Sequence, residues 1–141
     1  MATVSTFANF YLELAKGTHN FSSHTFKMAL TNTAPVTATD DHFADITELA
    51  AGNGYTAGGA TVTVSSVTLA SSVCQIVFAT TTITASGGSI GPFRYLVIYN
   101  DTAANDELVM SIDLGSELTV PDTENVSMLT NSAGNLRIKV D

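Results

Sequence analysis

The pattern that most limits what this chain can become is an alternation. Between His24 and Thr31, the apolar Phe26, Met28 and Leu30 stand at every second position, with Thr25, Lys27 and Ala29 between them. A period of two sends successive side chains to opposite faces of a strand, and threonine and valine suit a pleated, half-buried surface. The alternation returns through most of the chain, cut at intervals by clusters of Gly, Asn, Asp and Ser. Composition explains how it is sustained. The chain has 21 Thr and 13 Ser among 141 residues, while charged residues are only 13%, about half the roughly 25% of an ordinary soluble protein. At 45% apolar the chain is too hydrophobic to stay disordered. Its length favours one domain over residues 1–141.

After the strand at 24–31 comes a turn-rich stretch, Asn32-Thr33-Ala34-Pro35, and a glycine-dense loop, Gly52 to Gly59. Strands then follow closely. Thr61 to Leu69 sets Val62, Val64, Val67 and Leu69 among Thr and Ser, with the alternation slipping by one at Ser65-Ser66. Val73 to Ala85 carries Cys74, Ile76, Phe78 and Ile83, and Ser86-Gly87-Gly88-Ser89 turns the chain. Phe93 to Tyr99 is the most apolar stretch, as expected of a central strand buried on both faces. Leu108 to Leu114 and Leu118 to Leu129 are further strands, the second interrupted at Pro121-Asp122. Asn131 to Asn135 turns, and Leu136, Ile138 and Val140 form the last strand.

Two segments break this rhythm. Phe7, Phe10, Tyr11 and Leu14 fall on one face of a helix over about residues 5–16, with Thr3 or Ser5 as cap, Gly17 as the left-handed stop, and Glu13 and Lys16 outside. Asp40-Asp41-His42-Phe43 opens a second short helical candidate, with Phe43, Ile46 and Leu49 or Ala50 on one side and acids suited to a helix N-terminus. The expected fold is therefore mainly β: an antiparallel sandwich or barrel of about seven strands over residues 24–141, behind a short amphipathic helix.

Charge narrows the function. Five basic residues (Lys16, Lys27, Arg94, Arg137, Lys139) are scattered against 13 acidic ones, net −8, which disfavours phosphate-backbone or anionic-membrane binding. No apolar run nears the roughly 20 residues of a membrane helix. Met1-Ala2-Thr3-Val4-Ser5 lacks a signal-peptide pattern, so synthesis in a cytoplasm is expected. The single cysteine, Cys74, allows no internal disulfide or thiolate zinc site.

His19 and His24 lie five apart across a turn, and His42 is remote; they read as loop-packing or surface histidines rather than metal ligands. Cys74 sits in a strand of Val, Ile and Phe, where a thiol is a small apolar group. Asp40, Asp41, Asp45 and Glu48, and separately Asp101, Asp106 and Glu107, form acidic clusters without the spacing of a calcium loop; they read as solvated acidic turns, with a structural cation in either as the alternative. The loop Gly52–Gly59 lacks the Lys-Ser/Thr of a phosphate loop, and Tyr55 is its expected anchor. No Gly-x-Ser-x-Gly elbow is present. The reading is a protein with no catalytic residues, no metal site and no cofactor.

Several segments, taken in order, carry a resemblance. They are Asn9-Phe10-Tyr11-Leu12-Glu13-Leu14-Ala15-Lys16-Gly17, His24 to Thr31, Asp41-His42-Phe43-Ala44-Asp45-Ile46, Gly54-Tyr55-Thr56-Ala57-Gly58-Gly59-Ala60, Arg94-Tyr95-Leu96-Val97-Ile98-Tyr99-Asn100-Asp101-Thr102 and Val109 to Gly115. Together the chain resembles a family of small structural proteins encoded among the morphogenesis genes of tailed bacteriophages. The resemblance implies a virion component without enzymatic activity. The function expected first is a capsid decoration (cement) protein bound to the major capsid protein on the outer head surface. A homo-oligomer is expected, with a trimer fitting the threefold positions of a shell. A tail or head–tail connector subunit is the second reading. A carbohydrate-binding β-sandwich is the third, weakened by the absence of Trp.

Overall fold

The protein is described by a computed structural model that covers residues 2–129 and, as backbone, the strand Leu136–Lys139. The expected turn at 131–135 and Val140 lie outside the described residues. The chain is mainly β, 48% strand against 9% helix. Among the described residues the strands are β1 (Thr3–Thr6), β2 (Phe26–Thr31), β3 (Ala60–Val62), β4 (Val64–Ala70), β5 (Val73–Phe78), β6 (Thr81–Thr84), β7 (Ile90–Asn100), β8 (Leu108–Val120), β9 (Asn125–Met128) and β10 (Leu136–Lys139). One helix, α1 (Ala8–Ala15), and a 3₁₀ turn at Phe43–Asp45 complete the set.

A five-stranded sheet in the order β1-β8-β7-β2-β3 faces a three-stranded sheet, β10-β5-β4, and a two-stranded one, β6-β9. All pairings are antiparallel. The layers share one core, so the architecture is a sandwich. Phe26, Met28 and Leu30 of β2, Leu96 and Ile98 of β7, and Met110 and Ile112 of β8 meet Ile76 and Phe78 of β5, Ile83 of β6, and Val126 and Met128 of β9. Burying each large apolar side chain contributes about 1.5–3 kcal/mol.

The opposite face of the five-stranded sheet is also covered. Ala29, Val97, Tyr99 and Leu108 form a second cluster with Phe7, closed over by Phe43 and Ile46. Phe43 stacks on Tyr99 with ring centroids 4.1 Å apart. β7 is thus a central strand buried on both faces, as its unbroken apolar run implies.

Several sequence expectations need correction. Thr3 and Ser5 do not cap the helix; they pair with Asp113 and Ser111 of β8 in β1, so the sheet begins before the helix does. Helix α1 starts after Phe7 without a side-chain cap. Its far end is as expected: Gly17 has φ +84°, and the Gly17 and Thr18 N–H groups bond back to Leu14 and Glu13 carbonyls in a Schellman closure. The buried side of the helix is Phe7, Phe10 and Glu13, whereas Tyr11 is half exposed. Glu13 turns inward because Lys16 Nζ (2.7 Å) and Thr18 Oγ1 (2.6 Å) satisfy its two oxygens. These donors hold its carboxyl below the usual pKa.

The second helical candidate is only one 3₁₀ turn, and Leu49 packs on the main core rather than beside Phe43 and Ile46. The segments 61–69 and 73–85 each divide between two sheets. β3 pairs with β2 while β4 pairs with β5; β5 lies in the three-stranded sheet while β6 pairs with β9. Conversely, 108–114 and 118–120 are one long strand, running through Gly115 at φ +87°. The slip at Ser65-Ser66 is a β-bulge. It keeps Val64 and Val67, three residues apart, opposite Phe78 and Ile76 on the inner face.

Candidate functional site

The most polar part of the interior lies where β7 ends. Asn100 is fully buried, and its Oδ1 accepts the N–H groups of Thr102 (3.1 Å) and Ala103 (3.3 Å). Those two donors orient the amide, leaving Nδ2 to face three acceptors: the Thr18 carbonyl (3.2 Å), His19 Nδ1 (3.2 Å) and His24 Nδ1 (3.0 Å). An amide nitrogen carries two hydrogens, so at most two of these bonds form at once. Each ring nitrogen that accepts must be unprotonated. The structure therefore brings His19 and His24 together around the Asn100 amide.

His19 is 5% exposed and packs on Phe10, with ring centroids 5.0 Å apart. Burial pushes its pKa down, against the pull of Glu107 and Glu13. Its Nε2 and Glu107 Oε2 are buried without a hydrogen-bond partner. Glu107 Oε1 accepts from Asn105 Nδ2 at 3.2 Å. This cluster ties the loop after α1 to the β7–β8 turn. Asp101 N–H to the Thr25 carbonyl (3.0 Å) and Thr25 N–H to Thr102 Oγ1 (2.8 Å) reinforce the junction.

The acidic clusters do not converge. Asp40 Oδ2 accepts from Val36 N–H (2.7 Å), and Asp45 Oδ2 from the N–H groups of Asp41 and His42 (both 3.0 Å). The backbone donors lower the Asp45 pKa. Glu48 Oε1 accepts from the Tyr55 hydroxyl (2.7 Å) and Gly58 N–H (2.6 Å). Asp101 pairs with Lys27 at 3.2 Å. Burial raises the Asp106 carboxyl, with Asp101 and Glu107 adding to it. The segments 41–43 and 106–108 do run side by side, but they join through backbone: Phe43 N–H to Asp106 O (2.9 Å) and Leu108 N–H to Asp41 O (3.0 Å). Among the described residues, no group of three or more His, Cys, Asp or Glu is placed to hold a metal ion.

The glycine loop is a latch. Tyr55 is buried; its hydroxyl accepts from Leu30 N–H (3.0 Å) while donating to Glu48. Tyr99 donates to the Gly58 carbonyl at 2.7 Å. Because Glu48 already takes the Gly58 N–H, that donor is not offered to a phosphate. Gly59 sits so close to β2 that a Cβ there would overlap the Met28 carbonyl.

Cys74 is half-buried opposite Leu69. His42, on the surface, has Nδ1 3.9 Å from Asp45. Arg94 makes a two-pronged pair with Asp113 (2.7 and 2.9 Å) beside the Tyr95 ring.

Among the described residues, surface clefts are lined by few ionisable groups: His24 in one, Asp122 and Glu124 in another, while the Tyr55 loop lines a third. What the surface does offer is apolar. Tyr11 and Leu12 project from α1, and Val67 and Leu69 from β4. The apolar Phe93 to Tyr99 strand belongs to the core, as its sequence predicts. Sequence reasoning passed over Val67 and Leu69 because their alternation looked like that of any half-buried strand. In comparisons with known proteins, no family model, curated protein or solved structure matches this chain.

Proposed function

We propose that this chain is a structural component of a tailed-bacteriophage virion, a decoration protein that binds the outer head surface. It acts by contact, bridging neighbouring copies of the major capsid protein and stiffening the shell against internal DNA pressure. It is made in the host cytoplasm and works as a homo-oligomer, with a trimer suited to threefold and quasi-threefold positions.

One observation carries the reading. The polar groups that could serve chemistry are turned to holding loops on the sandwich, while apolar side chains stand exposed on α1 and β4. Such a surface favours association over catalysis. Two of the segments that carry the phage resemblance, Gly54 to Ala60 and Arg94 to Thr102, also meet: Tyr99 of one bonds Gly58 of the other. They act as fold-defining parts, as expected where surface rather than a reaction centre is the working part. Binding to a shell would stabilise the folded chain by mass action, without disulfides.

The copy number per virion, measured by quantitative mass spectrometry against the major capsid protein, tests this. A ratio near one supports a head decoration protein. A ratio of a few per cent moves the assignment to a tail or connector subunit. Absence from purified particles removes both.

A further inference from the structure

Charge is unevenly distributed along the chain. From Leu49 to Phe93, 45 residues contain no Asp, Glu, Lys, Arg or His, although the chain as a whole carries 13 acids and 5 bases. That neutral run builds β3, β4, β5 and β6. Its outermost strand, β4, is hydrogen-bonded to β5 on one side and ends the three-stranded sheet on the other.

Natural edge strands are commonly guarded by charge, by proline or by very short length. β4 is seven residues long, Val64-Ser65-Ser66-Val67-Thr68-Leu69-Ala70, without a charge or a proline. The bulge at Ser65 disturbs one end only; from Ser66 to Ala70 the register with β5 is regular. Val67 pairs with Ile76 and Leu69 with Cys74, so both belong to the face that continues the core. Yet Val67 is 46% and Leu69 75% exposed. The hairpin thus leaves part of its core-side face in solvent.

We propose that copies of this chain associate through the β4–β5 hairpin, the Val67 and Leu69 side chains of one copy being covered by the same hairpin of its neighbour. The argument for a second copy is electrostatic. Each chain carries net charge −8, and acids closer than a Debye length of about 8 Å repel at physiological salt. The hairpin itself carries no carboxylate. The strand paired with β5 on its other side, β10, holds Arg137 and Lys139 opposite Gln75 and Val73. Two such chains can therefore meet there without setting hairpin carboxylates against each other. A basic partner would be steered instead to the acid-bearing faces. Cyclic symmetry of any order, a trimer included, can bring one copy of the same surface from every chain together at the axis, where an uncharged apolar hairpin is covered by those of its neighbours. This inference rests on the self-association in the function proposed above and gives it a surface.

Light scattering on the isolated full chain, from low to high micromolar concentration, tests it. The wild type is expected at a multiple of its 14.7 kDa chain mass, and Leu69→Lys and Val67→Lys each at 14.7 kDa. Leu12→Lys, on the outward face of α1, should keep the wild-type mass. A wild type that is monomeric throughout overturns the proposal, as does a lysine variant that keeps the wild-type mass while folded by circular dichroism. The unmodified protein provides a second readout. Its Tm should rise with concentration, and a concentration-independent Tm also overturns the contact. A chain monomeric in solution yet abundant in particles would remove this interface and leave the virion reading standing.

Discussion

β2 and β4 look alike in sequence and end in opposite circumstances. Both alternate large apolar residues with smaller or more polar ones. β2 is flanked by β7 and β3, covered on one face by the sandwich core and on the other by the Phe43–Ile46 loop, and every residue from Met28 to Thr31 is buried. β4 has one neighbour, and its residues 67–70 are exposed. Burial is therefore set by where a strand lies in its sheet and by what crosses it. The alternation states only that one face can be buried.

Breaking the β2 side should produce the largest effect. Phe26 is fully buried and stacks on Phe21 with ring centroids 4.7 Å apart. Phe26→Ala is expected to destabilise the fold by about 3–5 kcal/mol in urea titration, a loss large enough to threaten folding altogether.

The glycine latch against β2 comes next. Gly59→Ala combines a left-handed backbone (φ +81°) with overlap on the Met28 carbonyl. It should cost more than the roughly 1–3 kcal/mol of the strained conformation alone. Gly17→Ala has a similar φ of +84° with nothing within 4 Å, so it should cost only about 1–2 kcal/mol. Equal losses in thermal unfolding would show that the contact with β2 is not what demands Gly59.

A third expectation concerns pH. The pKa of His19 is lowered in the fold, chiefly by burial, from an ordinary 6.5. The unfolded chain then takes up a proton before the folded one does. The stabilising contribution is complete above pH 6.5 and is lost as pH falls through the depressed folded value. His19→Gln should flatten the stability–pH profile in that window; an unchanged slope would assign the dependence elsewhere.

The smallest effect belongs to β4. In dilute, monomeric solution Leu69→Thr should change stability by no more than about 0.5 kcal/mol, since its side chain is mostly in water already. A loss comparable to that of a core residue would mean that β4 is covered within a single chain, and the contrast with β2 would disappear.

Much of the local structure was legible because it has local causes. The bulge at Ser65-Ser66 announced itself as a slip in alternation, Gly17 as a helix stop, and Phe93–Tyr99 as a strand without a polar face. Tyr55 was visible as an anchor, though not its partners Leu30 and Glu48. The hairpin turn at Ser71-Ser72 gave no Asn-Gly signal, although both residues have positive φ (50° and 62°). Of the candidate groups, His19 and His24 were seen as loop residues; their meeting at Asn100, 81 and 76 positions away, left no trace in spacing.

Period, composition and turn chemistry determined the mainly β class, the positions of most strands and the short helix, because side-chain alternation and backbone preference act over a few residues. Which sheet each strand joined was decided only in three dimensions. Nothing between Val62 and Val64 marks the passage from the five-stranded to the three-stranded sheet. The hydrogen bonds that make that assignment are to β2 and β5, and β2 is far away in the chain. The same holds for Thr3–Thr6, drawn into β1 by β8, and for Glu13, turned inward by Lys16 and Thr18. It holds for Leu69 as well. Its exposure follows from what does and does not cross β4 in the folded chain, and not from the residues beside it.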